Sequence, residues 1–488
     1  MRSGQAYMQA LKDGRSIYLD GERIADVTVH PAFAPAVRLI ADTYEHARDA
    51  ANLEVTSYIE PDTGQRRHTM WLVPRSAQDL TARRQMHEFW AKPSYGHMGR
   101  TPDHVASTMA AFVASPEVFA RGGAAFAQNV QRFYAKACED DLYIAYVIVP
   151  PQGDRTKPAH QQPDPHLYAG MVKERDDGIV LRGAQMIGTS APLADSLFFT
   201  SIVPLQPGDE DYALSVVLPC NTPGLKMYPR RPYAPMATSV YDYPLSSRFD
   251  ETDSLIVFDD VFIPWEQVFV YRDVPLTQAQ FHETGAHLLA NFQALVRFSV
   301  KLKFLTGLAR KLCELHNIDT LPPVQATVGG ELAATAALFE SLMLAAETRP
   351  LERHGMAVPH PQFVYTGMAL QRKMIVDVMR SLRELCGGGP ICVPSSVASF
   401  TSEVTASDTA RYYRSANTPA EERVKILKLV WDAMGSEFAG RQLQYEMFYS
   451  AAQHIADQRV FRTYEWHEST ALAEQCLASY GLDGAFGP

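Results

Sequence analysis

Four stretches of helical periodicity dominate the second half of the chain, and they restrict its fold more than any other feature. Residues 278–316 place Leu288, Leu289, Phe292, Leu295, Val296 and Phe298 on one apolar face. Residues 324–347, 361–386 and 420–450 repeat the pattern. Helices of this length must bury their apolar stripes against one another, so we expect an antiparallel four-helix bundle over residues 278–488. Gly387-Gly388-Gly389-Pro390 ends the third helix, because neither a glycine run nor a proline continues one.

The periodicity changes upstream. Residues 142–150 are rich in β-branched and aromatic side chains and stop at Pro150-Pro151. Similar runs recur at 179–186, 196–203, 213–219, 225–228 and 254–258, between Gly, Pro and Asp clusters. Short strands at such spacing predict a small barrel or sandwich over residues 142–277. Residues 1–141 read mainly as helices, at 76–91, 101–114 and 117–139 and around Val37, Ile40, Ala41 and Tyr44. A small hairpin with its turn at Asp20-Gly21 precedes them. Arg83, Arg84 and His87 are expected on a solvated helix face. The fold class is therefore α+β, mostly α.

Composition removes several function classes. The 488 residues are 46% hydrophobic and 20% charged, as in soluble globular proteins. A net charge of −10 argues against non-specific nucleic-acid binding, which needs a basic face. No apolar run follows Met1-Arg2-Ser3-Gly4-Gln5, and no uninterrupted run of about 18 apolar residues occurs. We therefore expect no signal peptide, no membrane span and a cytoplasmic location. None of the six cysteines forms a C-x-x-C pair, which argues against zinc ribbons and thioredoxin-like sites. Cys386 and Cys392 flank the glycine run; reduced thiols are the expected state, a disulfide the alternative. No G-x-G-x-x-G follows a strand and no P-loop pattern occurs, so the chain has no recognisable nicotinamide-binding unit.

Chemistry concentrates in Ser94-Tyr95-Gly96-His97-Met98-Gly99-Arg100-Thr101-Pro102-Asp103-His104. Gly96 and Gly99 permit unusual dihedrals or close approach. Pro102 suits a first helical turn, and Asp103 its positive end. Arg100 stays charged and offers five donors. His97 and His104 are of the type that titrates near neutral pH. Taken alone, the stretch reads as a turn before a surface helix with a solvated arginine. Further segments follow in order: Asp13-Gly14-Arg15 with Asp26-Val27-Thr28, Gln152 to Arg155, residues 183–189, residues 249–266 and residues 431–449. Together they resemble the large oxygenase component of the 4-hydroxyphenylacetate 3-monooxygenase family, two-component phenol hydroxylases that use reduced flavin.

The resemblance implies an acyl-CoA dehydrogenase-like architecture: an N-terminal helical domain (1–141), a middle β-barrel (142–277) and a C-terminal four-helix bundle (278–488), usually as a homotetramer. It implies ortho-hydroxylation of a para-substituted phenol to a catechol through a flavin C4a-hydroperoxide. The implied cofactor is FAD, entering as FADH2, with FMNH2 the lesser alternative. A separate NAD(P)H:flavin reductase would supply it. Arg100 would hold the phenolic oxygen. Thr189 would lie at the flavin ring near N5, Gln152 at its pyrimidine edge and Arg155 at its diphosphate. Ser450, Gln453 and His454 would belong to a flavin-holding turn. Gly435 and Gly440 serve either that turn or subunit packing. Ser201, beside Ile202, falls where the family grips the substrate tail. Asp250, Glu251, Asp253, Asp259 and Asp260 match a structural strand and turn in the family, and their spacing is not that of an EF-hand.

Two positions depart from the family pattern. His104 stands where tyrosine is usual, and Ala145-Tyr146 where Thr-His is usual. This looks like an exchange of hydroxyphenyl and imidazole across the pocket. We expect His104 and Tyr146 to grip the phenolic oxygen from opposite sides, with Arg100. The same change puts 4-hydroxyphenylacetate itself in question as substrate. The alternatives are another para-substituted phenol, a halophenol, or a carrier-tethered tyrosine-like acid. A non-catalytic flavin-binding or scaffold protein is an alternative of another class. A sister family dehydrates 4-hydroxybutyryl-CoA with an iron–sulfur cluster; the absence of cysteine from residues 90–110 and 281–300 argues against it.

Overall fold

The computed structural model describes residues 1–481. Helices form at Ala34–His46, Ala77–Ala91, Pro102–Val113 and Ala124–Asp140. Their starts follow local chemistry. Ser76 accepts a hydrogen bond from Asp79 N, and Pro102 fills a first-turn position that needs no donor. The hairpin Ile17–Leu19 and Glu22–Ile24 forms as expected, but it joins the middle strands: Ile17–Leu19 runs parallel to Leu225–Pro229.

The middle strands make two sheets, not a closed barrel. The six-stranded sheet runs Glu22–Ile24, Ile17–Leu19, Leu225–Pro229, Ser254–Pro264, Gly178–Gln185, Gly170–Arg175. The four-stranded sheet runs Val268–Tyr271, Leu214–Pro219, Ser196–Thr200, Ile144–Val147. A bridge between Val149 and Met186 stitches the two together. Gly170–Arg175 escapes the sequence reading because it is an edge strand, largely exposed and polar. The long strand Ser254–Pro264 shifts register between Phe258 and Val261. At this bulge Asp259 and Asp260 turn outward to Lys226 and Arg182.

The bundle is built on Ala286–His316, the Pro322–Thr348 stretch and Pro361–Cys386. The fourth expected helix is two. Gly435 ends Ala420–Met434, and Ser436 caps Glu437–Phe448 by accepting from Ala439 N. Pro322–Thr348 is long and apolar enough to cross a membrane by length and composition, although Glu331 and Glu340 interrupt it. The chain's own packing buries only 28% of its most apolar 18-residue window. One contiguous core runs through all regions and includes Trp71, Phe112, Phe198, Phe292 and Leu382. Each such side chain contributes roughly 1.5–3 kcal/mol.

The charged face expected on Ala77–Ala91 is instead buried. Arg83 donates to the carbonyls of Met70 and Leu72 and to Ser107 Oγ at 3.0, 2.7 and 2.6 Å. His87 Nδ1 lies 2.7 Å from Asp103, and Arg84 is held by Glu347 and Glu88. The helix packs against Ala286–His316 and the Pro322–Thr348 stretch, so its polar groups must find partners inside. Cys386 and Cys392 are free thiols.

Candidate functional site

Helix Pro102–Val113 packs on Ala286–His316 and thereby sets His104 against Gln293. His104 Nδ1 lies 2.9 Å from Gln293 Oε1. With the amide placed so, Nδ1 carries the proton and Nε2 is a bare acceptor; Nε2 is buried without a partner. Arg100 Nη1, one turn away, is 3.4 Å from Nδ1, too long for a good hydrogen bond. Burial, reinforced by the charge of Arg100, holds the imidazole well below its ordinary value. It is therefore neutral at physiological pH. His97 is kept neutral in the same way, pushed down to about 3 by burial and by Lys301. The expectation that these two histidines titrate near neutrality fails because both are enclosed.

Tyr146 forms the third side. Its ring stands edge-on to His104 with centroids 5.6 Å apart and stacks on Phe198 at 5.9 Å. Burial raises its phenol, against the pull of Arg100, and no side-chain hydrogen bond acts on it. The structure thus brings Arg100, His104 and Tyr146 together.

Arg100 is held from behind. Its backbone N–H donates to Glu251 Oε1 at 2.6 Å, and its carbonyl accepts from the Tyr143 hydroxyl. Its guanidinium lies 5.5 and 5.4 Å from the rings of Tyr445 and Tyr449, which stack on each other at 5.1 Å. The approach leaves no room at two glycines. A Cβ on Gly99 would sit 2.2 Å from the Tyr445 hydroxyl; one on Gly96, where φ is +74°, would sit 2.7 Å from Arg297 O.

Beneath the two rings lies a buried charge network. Glu446 accepts from Arg297 Nη2 and Lys301 Nζ at 2.9 Å each, and from Gln371 Nε2 at 2.6 Å. Gln371 Oε1 in turn accepts from the Tyr449 hydroxyl at 2.6 Å. Burial alone would raise the Glu446 carboxyl; Arg297 and Lys301 override it and hold the group at about 2. The sequence reading missed this network. Its signal was Arg297 and Lys301, four residues apart and set among Leu295, Val296, Phe298 and Leu302.

The acidic stretch is a second clamp. Arg441 binds Asp253 through Nε and Nη2 at 2.9 and 2.6 Å and Glu251 through Nη1 at 3.2 Å. Arg230 adds bonds to Asp253 and Asp250 at 3.0 and 2.6 Å. Thr189 donates its hydroxyl proton to Asp253 Oδ1 at 2.7 Å. The Glu437–Phe448 helix and its C-cap Tyr449 therefore tie Thr189 to Arg100: Arg441 reaches the acids, Tyr445 and Tyr449 reach the arginine, and Ser450 follows directly.

The remaining expected residues are placed less tightly. Ser201 Oγ donates to its own loop at Val203 O, 3.1 Å away. It lies beyond Thr200 on the strand beside that of Tyr146, in register with Tyr146 at Phe198. Gln152 and Arg155 are exposed on the loop after Val149, next to the bridge that leads to Thr189. Gln453 donates to Ala369 O and His454 is exposed; neither touches the Arg100 cluster. Ser450 Oγ is buried and unpartnered. An acceptor at Thr189, an open hydroxyl at Ser450, an amide at Gln152 and a guanidinium at Arg155 fit a ligand with a hydrogen-bonding ring and an anionic tail. They fit a flavin dinucleotide.

Sheets held between helices and a long-helix bundle, with a polar grip inside, are the acyl-CoA dehydrogenase-like architecture. The chain belongs to the 4-hydroxyphenylacetate 3-hydroxylase family: the family's N-terminal model matches residues 3–270 and its C-terminal model residues 277–478. It is 35% identical to a 4-hydroxyphenylacetate 3-monooxygenase oxygenase component of Pseudomonas aeruginosa, over 99% of this chain and 94% of that one. It is 34% identical to the pyoverdin chromophore biosynthetic protein PvcC of the same organism, over 99% and 97%. Among solved structures, the oxygenase component HpaB of 4-hydroxyphenylacetate 3-monooxygenase, in complex with FAD and 4-hydroxyphenylacetate, superposes with a TM-score of 0.92 at 31% identity, covering 98% of each chain.

Proposed function

We propose that this chain is the oxygenase component of a two-component monooxygenase, which hydroxylates a para-substituted phenol ortho to its hydroxyl and so makes a catechol. The observation that carries the reading is the convergence of Arg100, His104 and Tyr146, three groups suited to one phenolic oxygen. Arg100 supplies positive charge and Tyr146 a hydroxyl donor, both favouring the phenolate. His104 Nε2, buried without a partner, supplies a hydrogen-bond acceptor that orients the phenol hydroxyl as it enters. Negative charge on the phenolic oxygen makes the ortho carbon a better nucleophile, and Phe198 and Phe281, packed on the Tyr146 ring, make that side of the grip apolar.

Reduced FAD, when bound, supplies the electrons and activates oxygen. Thr189 would meet its ring near N5, Gln152 and Arg155 its pyrimidine edge and diphosphate, and Ser450, Gln453 and His454 the opposite wall. A separate NAD(P)H:flavin reductase would deliver it. The phenol's tail would run toward Ser201 and Ile202, one polar and one apolar group, which favours a substrate other than a simple carboxylate. A homotetramer is the proposed assembly. A second copy would cover the exposed apolar length of Pro322–Thr348 and the helix Trp466–Ala478, which buries none of its residues in this chain.

The test supplies photochemically reduced FAD, oxygen and a panel of phenols to the purified chain, with catechols read by mass spectrometry. Catechol formed without nicotinamide supports the proposal. NADH oxidation by the chain alone, or no catechol from any phenol, contradicts it.

A further inference from the structure

The turn carrying Thr189 is unusually constrained. Ile187 and Ser190 adopt left-handed φ of +59° and +64°. For a β-branched residue such as Ile187 this is a strained conformation that persists only when its surroundings impose it. They do so here. Gly188 N donates to Ser254 O at 2.8 Å, and Ser190 N to Glu251 O at 3.0 Å. The turn is thus bolted to the acidic stretch on both sides of Thr189.

Between these bolts the Thr189 hydroxyl faces Asp253 at 2.7 Å. Both carboxylate oxygens of Asp253 are engaged by Arg441, and one also by Arg230. A carboxylate so paired only accepts hydrogen bonds. The threonine has one proton, and it is committed to Asp253. What Thr189 Oγ1 offers any ligand is lone pairs.

We propose that Asp253 locks Thr189 as an obligate hydrogen-bond acceptor, and that the lock makes the site select reduced over oxidised flavin. This rests on the reading that Thr189 meets the flavin ring at N5. Reduced flavin carries an N–H there, a donor that matches the acceptor. Oxidised flavin has a bare nitrogen there, so lone pair would meet lone pair in a site from which water is removed. One mismatched hydrogen bond of this kind costs about tenfold in affinity or more. Asp253 is a positioning residue, because it acts on the flavin only through Thr189. In a two-component system the device has a use: the oxygenase takes FADH2 from solution and releases FAD after turnover.

The experiment measures the dissociation constants of FAD and of anaerobic photoreduced FAD, without phenol or oxygen, so that no turnover is read. The wild type should bind reduced FAD at least tenfold more tightly. Thr189→Ala should cut that ratio by about tenfold, and Thr189→Ser, which keeps the hydroxyl, should restore it. Asp253→Asn should also lower the ratio, since its amide can donate to Thr189 and free the threonine proton for oxidised N5. If that variant does not fold, the Ala and Ser pair at position 189 decides. A wild-type ratio near one, an unchanged ratio in Thr189→Ala, or a folded Asp253→Asn with the wild-type ratio overturns the proposal. Failure of the wild type to bind either form would instead contradict the flavin reading beneath it.

Discussion

Around Arg100, His104 leaves Nε2 without a partner and no side-chain hydrogen bond acts on Tyr146. Directly behind, all four carboxylate oxygens of Glu446 and Asp253 are engaged by cations. Both regions are touched by the helix Glu437–Phe448, through Tyr445 at Arg100 and through Arg441 at Asp253. Their difference is one of saturation. A buried carboxylate with complete pairing holds position; a buried imidazole with an open nitrogen is costly to stability and has value only if a ligand completes it. Saturation marks the support, and its absence marks the working face.

The comparison breaks most visibly if the support can be removed cheaply. Glu446→Gln should leave Arg297 and Lys301 uncompensated and cost about 3–5 kcal/mol, read by denaturant unfolding. Acid should act on the same residues. Glu446 and Asp253 are held below the ordinary carboxylate range in the folded chain, so the unfolded chain binds more protons as pH falls. Their stabilisation is complete above the ordinary glutamate value of 4.5 and lost as pH drops toward about 2. The melting temperature followed from pH 6 to 3 should fall, and fall less in Glu446→Gln.

On the working face the sign of the result reverses. Arg100→Ala should lower the hydroxylation rate by roughly 100- to 1,000-fold with little change in melting temperature, because the guanidinium makes no ion pair among the described residues. His104→Ala and Tyr146→Phe should each cost roughly 10- to 100-fold in kcat/KM for the phenol. If these two substitutions leave rate and phenol affinity intact, the exchange of imidazole and hydroxyphenyl has no function. The smallest effect belongs to Asp260→Asn at the exposed strand bulge, where no measurable change in melting temperature or rate is expected.

Much of this was legible in the sequence, and the reason differs by residue. The long bundle helices announce themselves by periodicity. Arg100, His104 and Tyr146 were found through a motif and its departures, and the structure places them in contact. The support was not legible. Arg441 and Asp253 are 188 positions apart, and spacing carries no signal over that distance. Glu251 and Asp253 read as a structural turn, which they are, but their task is to fix Arg100 and Thr189. Arg83 and His87 read as solvated charges because a charge pattern cannot show that a helix is covered on both sides. The two-sheet middle region read as a barrel for a related reason: strand runs do not say where an edge stays open.

The claim at the centre is that Arg100, His104 and Tyr146 bind a phenol as its anion. The ionisation of bound 4-nitrophenol, read from its absorbance at a pH one unit below its solution pKa, tests this directly. The account predicts a nitrophenolate spectrum on binding to the wild-type chain, and its loss in Arg100→Ala. A bound neutral nitrophenol, or the same anionic spectrum in both proteins, would contradict it.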